Sequence, residues 1–170
     1  ALPIDPLLAF HAVFGKTVPD ISLNAVANLG YADGKFLKTV YPGDTLTAIS
    51  DIIGVKENSN GKTGVVWVRT RGENQRGETV LSYVRWVMVH KRQEGMQNTF
   101  AVQPQLANKV PFESLAAPQS FNPAAYDSKL SGESFKLNDY EVGEWIDHID
   151  GLTIDHSEHT MATKLYQNNA

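Results

Sequence analysis

Residues 45–90 read TLTAISDIIGVKENSNGKTGVVWVRTRGENQRGETVLSYVRWVMVH, and this stretch decides the fold. Three runs rich in Val, Ile, Thr and aromatic residues are separated by two polar turns, at 58–61 and 74–77, each of which ends in Gly. Turns of this kind between alternating apolar runs are typical of β-hairpins. The sequence therefore predicts an antiparallel meander of three strands.

The third run, residues 79–90, is apolar at both odd and even positions. A strand with two apolar faces must be covered on both sides or paired across an interface. In the second run Trp67, Arg69 and Arg71 share one face. They could stack a base or hold a phosphate, but an exposed or interface strand face explains the same pattern.

Upstream of the meander, residues 6–14 read PLLAFHAVF, which is apolar around most of a helix. Asp5 is a preferred N-cap residue, and proline is favoured at the first helical position that follows it. The pattern predicts a buried helix. We expect Gly15 to loosen it, a second helical stretch from Val18 to about Gly30, and strand-like structure beyond.

Downstream, residues 92–134 contain four prolines among Gln, Asn, Ser and Ala and show no sustained period, which indicates a linker between two units. A new unit is expected at 135–170. It would open with a short strand at 139–145 and continue into a helix from 153, where Asp155 and Glu158 have the spacing of a capping box. No capping Gly or Pro follows that helix, and we expect the natural chain to continue.

Composition narrows the class of protein. The chain has 170 residues, 42% of them hydrophobic and 20% charged, with a net charge of −4 and no cysteine. These values are ordinary for a globular protein with a real core. The scattered basic residues offer no surface for nucleic acid, no apolar run is long enough to span a membrane, and thiolate nucleophiles and disulfides are excluded.

Local motifs leave the chemistry open. His156 and His159 are three residues apart, whereas the zinc motif of metalloproteases needs histidines four apart with Glu directly after the first, so we expect no metal site. His11 lies in the predicted buried helix, and a hydrogen-bonded core histidine is the expected reading. No nucleophile motif and no phosphate-binding glycine loop are present.

A resemblance adds what the local motifs cannot. Residues 36–46, FLKTVYPGDTL, are similar to the strand-to-strand turn of hot dog enoyl-CoA hydratases, with Pro42 and Gly43 making the turn and Asp44 starting the next strand. Five more segments, in this order, resemble the mesaconyl-CoA hydratase family, a branch of the MaoC-like hydratases: FHAVFGKTVPDISLN at 10–24, KTGVV at 62–66, RWVMV at 85–89, YEVGE at 140–144, and EH at 158–159 followed by KLYQN at 164–168. Together they cover nearly the whole chain.

The resemblance implies an α+β protein with two hot dog units, each an antiparallel sheet wrapped around a central helix. Residues 1–91 would form most of the first unit without its opening segment, 92–134 the inter-unit linker, and 135–170 the start of the second, MaoC-like unit. It also implies a homo-oligomer associated through the sheets and a cytoplasmic location.

The resemblance further implies a catalytic Asp-x-Asn-Pro-x-His motif, whose Asp and His hold the water that adds to the double bond. Aligned on residues 165–168, this motif puts Asn168 at the Asp position and the His three residues beyond Ala170. An amide cannot act as a base, so Asn168 would orient water or thioester while the His does the acid–base work. The residues that bind coenzyme A are not assigned.

The function that follows from the resemblance is the reversible hydration of a 2-enoyl-CoA thioester, from mesaconyl-CoA to 3-methylmalyl-CoA. The acyl-CoA is the substrate, and no cofactor is expected. A free carboxylate on the acyl group would also need a cation, for which Lys164, an Arg of the first unit and a residue beyond the chain are open candidates.

Two other functions compete. A hot dog thioesterase would need a carboxylate at the helix that faces the thioester, and near the first helix only Asp5 and Asp20, at its ends, are available. The alternative of another class is a catalytically silent hot dog unit that shapes the acyl-CoA pocket or the subunit interface. It suits residues 1–91, which supply no base with an orienting partner.

Overall fold

The computed structural model describes residues 2–93, 101–114, 122–127, 129–132 and 135–167. Its elements are helix α1 (Pro6–Thr17), a π-helical turn (Val18–Ser22), strands β1 (Ala25–Phe36), β2 (Thr47–Glu57), β3 (Thr63–Glu73) and β4 (Thr79–His90), 3-10 turns at Phe112–Ser114, Pro123–Ala125 and Leu137–Asp139, and helix α2 (His156–Tyr166). Within the described ranges no helix combines the length and apolarity needed to cross a bilayer.

The four strands form one antiparallel sheet in the order β1-β4-β3-β2. The predicted meander of β2, β3 and β4 is therefore confirmed. Strand β4 lies inside the sheet, and its Val80, Val84 and Val87 are at most 1% exposed. Coverage on both faces is the reason that this strand is apolar at odd and even positions alike.

Side-chain amides fix both hairpin turns. The Asn60 side chain accepts hydrogen bonds from the backbone N–H groups of Lys62 and Thr63. The Asn74 side chain accepts from the N–H groups of Arg76 and Glu78 in the same way. These bonds mimic backbone turns, which is why Asn starts or centres both polar segments.

Helix α1 begins where the sequence predicts, because the Asp5 side chain accepts a hydrogen bond from the N–H of Leu7 at 2.7 Å. Its Ala9 and Val13 pack against Leu81 and Tyr83 of β4 in the main core. Full burial of side chains of this size stabilises a fold by about 1.5–3 kcal/mol each. Leu7 and Leu8 are 60% and 38% exposed, so the prediction of a buried helix holds for part of its circumference only.

The predicted second helix to residue 30 is also wrong. After the π-helical turn the chain becomes β1 at Ala25, and the first part of β1 pairs with β4 from Ala25↔Val89 to Gly30↔Trp86. The spacing of apolar residues at 18–26 is compatible with either a helix or a strand. Pairing with the long apolar strand β4 favours the strand from Ala25 onward.

By internal contacts the chain divides into two compact units, residues 1–109 with 155–170, and residues 110–154. The second unit contains the three 3-10 turns given above, and its Trp145 is 82% exposed. Among its described residues no strand forms, so the expected strand at 139–145 is wrong: a strand requires a hydrogen-bonded neighbour, and none is present there. The predicted boundaries at 91 and 134 stay predictions.

Candidate functional site

Helix α2 has the capping box that the sequence predicts. Asp155 is its N-cap, its carboxylate accepts a hydrogen bond from the N–H of Ser157, and the Glu158 side chain accepts from the N–H of Asp155. Hydrogen bonds from Ser157, side chain first, lower the pKa of Asp155. The helix ends at Tyr166, and Gln167 takes a left-handed conformation with φ of 54°. Both ends of α2 are therefore defined.

Helix α2 lies against the side of α1 that faces away from the sheet. The Tyr166 carbonyl reaches the backbone of Gly15 so closely that a methyl group there would overlap it. The rings of His11 and Tyr166 also contact each other, with centroids 5.3 Å apart. Glycine at position 15 is thus required for the approach of the two helices rather than for a loosened helix.

A cleft of about 230 Å³ lies beside this contact. We call it the α1–α2 cleft. Its walls are mainly apolar, and its polar lining residues lie at the C-terminal ends of α1 and α2 and in the turn before β2. The lining residues are Ile4, Leu8, Ala9, Ala12, Lys16, Val40, Asp44, Leu46, Leu165, Tyr166 and Gln167.

Lys16 and Gln167 join the two helices at the cleft. The ammonium of Lys16 donates a hydrogen bond to the side-chain oxygen of Gln167 at 2.7 Å. Among the described residues Lys16 has no ion-pair partner. Within the described part of the chain, the hydrogen-bond partner of this cation is therefore a neutral amide.

The one carboxylate of the cleft is already engaged. Gly43, with φ of +99°, allows the predicted Pro-Gly turn, and Asp44 accepts hydrogen bonds from the N–H of Tyr41 and from the Gln75 amide at 3.0 and 2.7 Å. These bonds, with Gln75 first, lower the pKa of Asp44, and Arg76 adds a charge 3.6 Å away. Asp44 is thus a turn carboxylate that stays ionised rather than a proton acceptor. Strand β2 starts three residues later than predicted, at Thr47.

A buried cation that the sequence analysis did not single out lies at the same C-terminal end of α1 as Lys16, but on the side of the sheet. Arg85 is 0% exposed, donates to the hydroxyls of Ser22 and Thr17 at 3.0 and 2.9 Å, and stacks 4.7 Å from the centre of the Phe14 ring. Thr17 in turn donates to the Phe14 carbonyl. The guanidinium thus neutralises the carbonyl end of α1, where the helix dipole is negative.

The charge of Arg85 is largely removed from water. Burial lowers its pKa, and its Nε has no hydrogen-bond partner among the described residues. Burial likewise raises the pKa of the adjacent Tyr83, an effect that the hydroxyls of Thr70 and Thr17 and the charge of Arg85 oppose only in part. The sequence does give one indication of this site, because Arg85 stands among mainly apolar residues in the β4 run.

The structure separates the other residues proposed from sequence. His11 is exposed on the α2 side of α1, so the expectation of a core histidine is wrong. Arg69 pairs with Asp33 at 2.7 Å and Arg71 with Asp51 at 3.7 Å on the sheet face away from α1, which leaves neither of them free for a phosphate.

The remaining site residues lie on or after α2. His156 and His159 are exposed in its first turn, and the described parts of the chain hold no cluster of metal-binding side chains. Asn168, the predicted catalytic residue, lies outside the described residues. Its neighbour Gln167 lines the cleft.

Comparisons with known proteins agree on one family. Residues 1–121 match the family model described as mesaconyl-CoA hydratase. The mesaconyl-CoA hydratase of Cereibacter sphaeroides is 60% identical over 170 residues, which are 100% of this chain and 50% of that protein. The solved structure of a MaoC domain protein dehydratase from Chloroflexus aurantiacus is 55% identical, with a TM-score of 0.82 over 99% of this chain and 48% of the other.

A third match bears on the fold alone. A Mycobacterium tuberculosis protein described as a double hot dog fold is 16% identical, with a TM-score of 0.57 over 98% of this chain and 50% of that one. The antiparallel sheet with its packed helix is accordingly a hot dog fold. The chain spans about half the length of the curated relatives it matches.

Proposed function

The chain belongs to the mesaconyl-CoA hydratase family, and on that premise we propose that the protein reversibly hydrates a 2-enoyl-CoA thioester, converting mesaconyl-CoA to 3-methylmalyl-CoA. The hydroxyl of water bonds to the carbon β to the thioester, and a proton is added at the α-carbon. The reverse reaction removes the same two groups as water.

The observation that carries this proposal is the α1–α2 cleft. It is mainly apolar and has a volume of about 230 Å³, which is below the ~300–1,000 Å³ of pockets that enclose drug-sized ligands. A space of this size suits a short acyl group, with the rest of the coenzyme outside it. Water enters such a reaction most productively when few other waters compete, and apolar walls limit their number.

We propose that Asn168, which follows the cleft residue Gln167 in the sequence, orients the water or the thioester carbonyl through its amide. An amide donates and accepts hydrogen bonds but takes up no proton at neutral pH. The proton transfer is then the task of the histidine expected three residues beyond Ala170, whose ordinary pKa near 6.5 suits it to this role. The thioester oxygen gains charge in the transition state and requires hydrogen-bond donors.

In this proposal the first hot dog unit takes no part in proton transfer. His11 is exposed beside Tyr166, and the described residues 2–93 contain one other histidine, the exposed His90 at the end of β4. Neither of them contacts an orienting carboxylate among the described residues. This arrangement favours the second candidate function for residues 1–91, a silent unit that shapes the acyl pocket, and the two proposals are compatible.

The test is a hydration assay on the full-length protein with mesaconyl-CoA, in which the loss of the enoyl-thioester absorbance measures turnover. Asn168→Ala should lower kcat by about 100- to 1,000-fold, which is typical for a lost transition-state hydrogen bond. Asn108→Ala is the matched control, because Asn108 is exposed and should leave turnover unchanged. Wild-type turnover in Asn168→Ala would remove Asn168 from the site, and an inactive wild type would refute the function.

A further inference from the structure

Lys16 is the cation whose position in the cleft calls for an explanation. Lys16 is an exposed residue that lines the cleft, and the neutral amide of Gln167 is its hydrogen-bond partner at 2.7 Å. Hydrogen bonds between two charged groups are about twice as strong as those between neutral ones. An incoming carboxylate can therefore displace the amide oxygen and gain from the exchange.

Other cations near the cleft are already used or lie elsewhere. Arg76 is paired with Glu78 at 2.8 Å and lies 3.6 Å from Asp44. Arg85 is fully buried on the sheet side of α1, where Phe14, Thr17 and Ser22 enclose it. Lys164 is exposed on α2 and does not line the cleft.

Lys16 is also accessible to an incoming anion. It is exposed and forms no ion pair with another described residue, so a carboxylate can approach its ammonium without breaking one. The lysine stem is flexible and its ammonium acts as a point charge, which suits a carboxylate that moves in and out with the substrate. Asp44 does not compete for Lys16, because Tyr41, Gln75 and Arg76 already engage it.

Building on the proposed function, we propose that Lys16 binds the free carboxylate of the acyl group and thereby makes the site prefer dicarboxylic over monocarboxylic enoyl thioesters. Gln167 holds the lysine in place while the cleft is empty. Lys16 is a specificity-determining residue in this scheme and takes no part in the transfer of the proton.

The test uses the full-length protein and compares two thioesters, mesaconyl-CoA and the uncharged crotonyl-CoA. Lys16→Met keeps the length of the side chain and removes its charge. It should lower kcat/KM for mesaconyl-CoA by about 10- to 100-fold, which corresponds to the loss of one charged hydrogen bond. The loss should come mostly from a higher KM. For crotonyl-CoA, kcat/KM should stay within about twofold of the wild-type value. Lys16→Arg should retain most of the preference, and the matched control Lys164→Met should retain all of it.

Competitive inhibition by succinyl-CoA and butyryl-CoA provides the same comparison without turnover of the uncharged thioester. Lys16→Met should weaken inhibition by succinyl-CoA and leave inhibition by butyryl-CoA unchanged. If Lys16→Met lowered kcat/KM equally for the two substrates, or weakened inhibition equally for the two inhibitors, Lys16 would act in folding or in the chemical step. If the variant changed neither kcat/KM nor inhibition, the proposal would be overturned. A wild type that hydrates neither thioester would refute the proposed function, whereas an active wild type with an unaltered Lys16→Met variant would refute this inference alone.

Discussion

One face of helix α1 packs against the sheet and the other packs against helix α2, and the two contacts are built from different side chains. On the sheet side Ala9 and Val13 meet Leu81 and Tyr83 in an apolar core. On the α2 side the contacts are made by Gly15, a ring pair and one hydrogen bond from Lys16. A cavity lies beside each contact, of about 300 Å³ on the sheet side and about 230 Å³ on the α2 side, so the contacts differ in their chemistry rather than in the space they leave.

This difference separates stability from function along a single helix. Burial of apolar area on the sheet side supplies free energy that does not depend on small shifts of position. The α2 side buries little and relies instead on close backbone approach and on charge. Substitutions on the sheet side should therefore change unfolding, and substitutions on the α2 side should change turnover.

The largest expected effect is on the sheet side. Leu81→Ala removes a side chain that is 2% exposed and should lower the free energy of unfolding by about 2–5 kcal/mol, because a cavity remains in the core. Leu165→Ala, at a position that is 63% exposed on the cleft side, should cost less than about 0.5 kcal/mol. Denaturant midpoints of the full-length variants measure both, and equal losses would contradict the separation.

The next effect is on the α2 side. Gly15→Ala would place a methyl group against the Tyr166 carbonyl and so displace α2. A misplacement of about 1 Å near a reaction can cost roughly 100-fold in rate, and we expect a loss of that size in the hydration assay. Unfolding of the sheet should change much less.

Gly34→Ala is the control for this substitution, because a Cβ at Gly34 would meet no atom within 4 Å. Its turnover should equal that of the wild type. Full activity in Gly15→Ala would show that the α1–α2 contact does not position the reactants.

The sheet side of α1 could be predicted from the sequence, and the α2 side could not. Strand runs and Asn-Gly turns are local signals, so the β2–β4 meander and the Asp5 cap were correctly predicted. The start of β1 at Ala25 was not predicted, because strand formation there depends on pairing with β4, about 60 residues away.

The features of the cleft depend on contacts that are distant in sequence. Lys16 and Gln167 are separated by 151 positions, and no local pattern joins them. Gly15 was read as a weak point in a helix, although its role is to admit a backbone carbonyl from α2. Arg85 lies in a largely apolar strand, and its contacts with the hydroxyls of Thr17 and Ser22 and with the Phe14 ring explain why a charge is tolerated there.

A smaller effect compares two arginines that lie on opposite faces of the sheet. Arg85→Lys cannot keep both hydroxyl bonds and the stacking on Phe14, and we expect a loss of about 1.5–2 kcal/mol in the free energy of unfolding. Arg69→Lys keeps its charge beside Asp33 on a half-exposed surface and should cost less than about 1 kcal/mol. Thermal unfolding ranks the two, and a reversed order would mean that the buried guanidinium is not held by its hydroxyl partners.

The smallest expected effect is a pH dependence on the sheet side. Burial raises the pKa of Tyr83 in the folded protein above its unfolded value of 10.0. The folded state therefore holds this proton more tightly than the unfolded state, and the resulting stability is complete below pH 10 and is lost as the pH rises through the folded pKa. Tyr83→Phe removes that part of the alkaline loss, so its free energy of unfolding should fall less steeply above pH 10.

Tyr126→Phe separates this effect from the general titration of the surface, because Tyr126 is 61% exposed and its variant should follow the wild-type curve. A difference between the Tyr83→Phe and Tyr126→Phe curves above pH 10 would show that the sheet side of α1 excludes water from a phenol that lacks a hydrogen-bond partner among the described residues. Coincident curves would mean that water reaches the Tyr83 hydroxyl. The contrast between the two faces of α1 would then rest on charge alone.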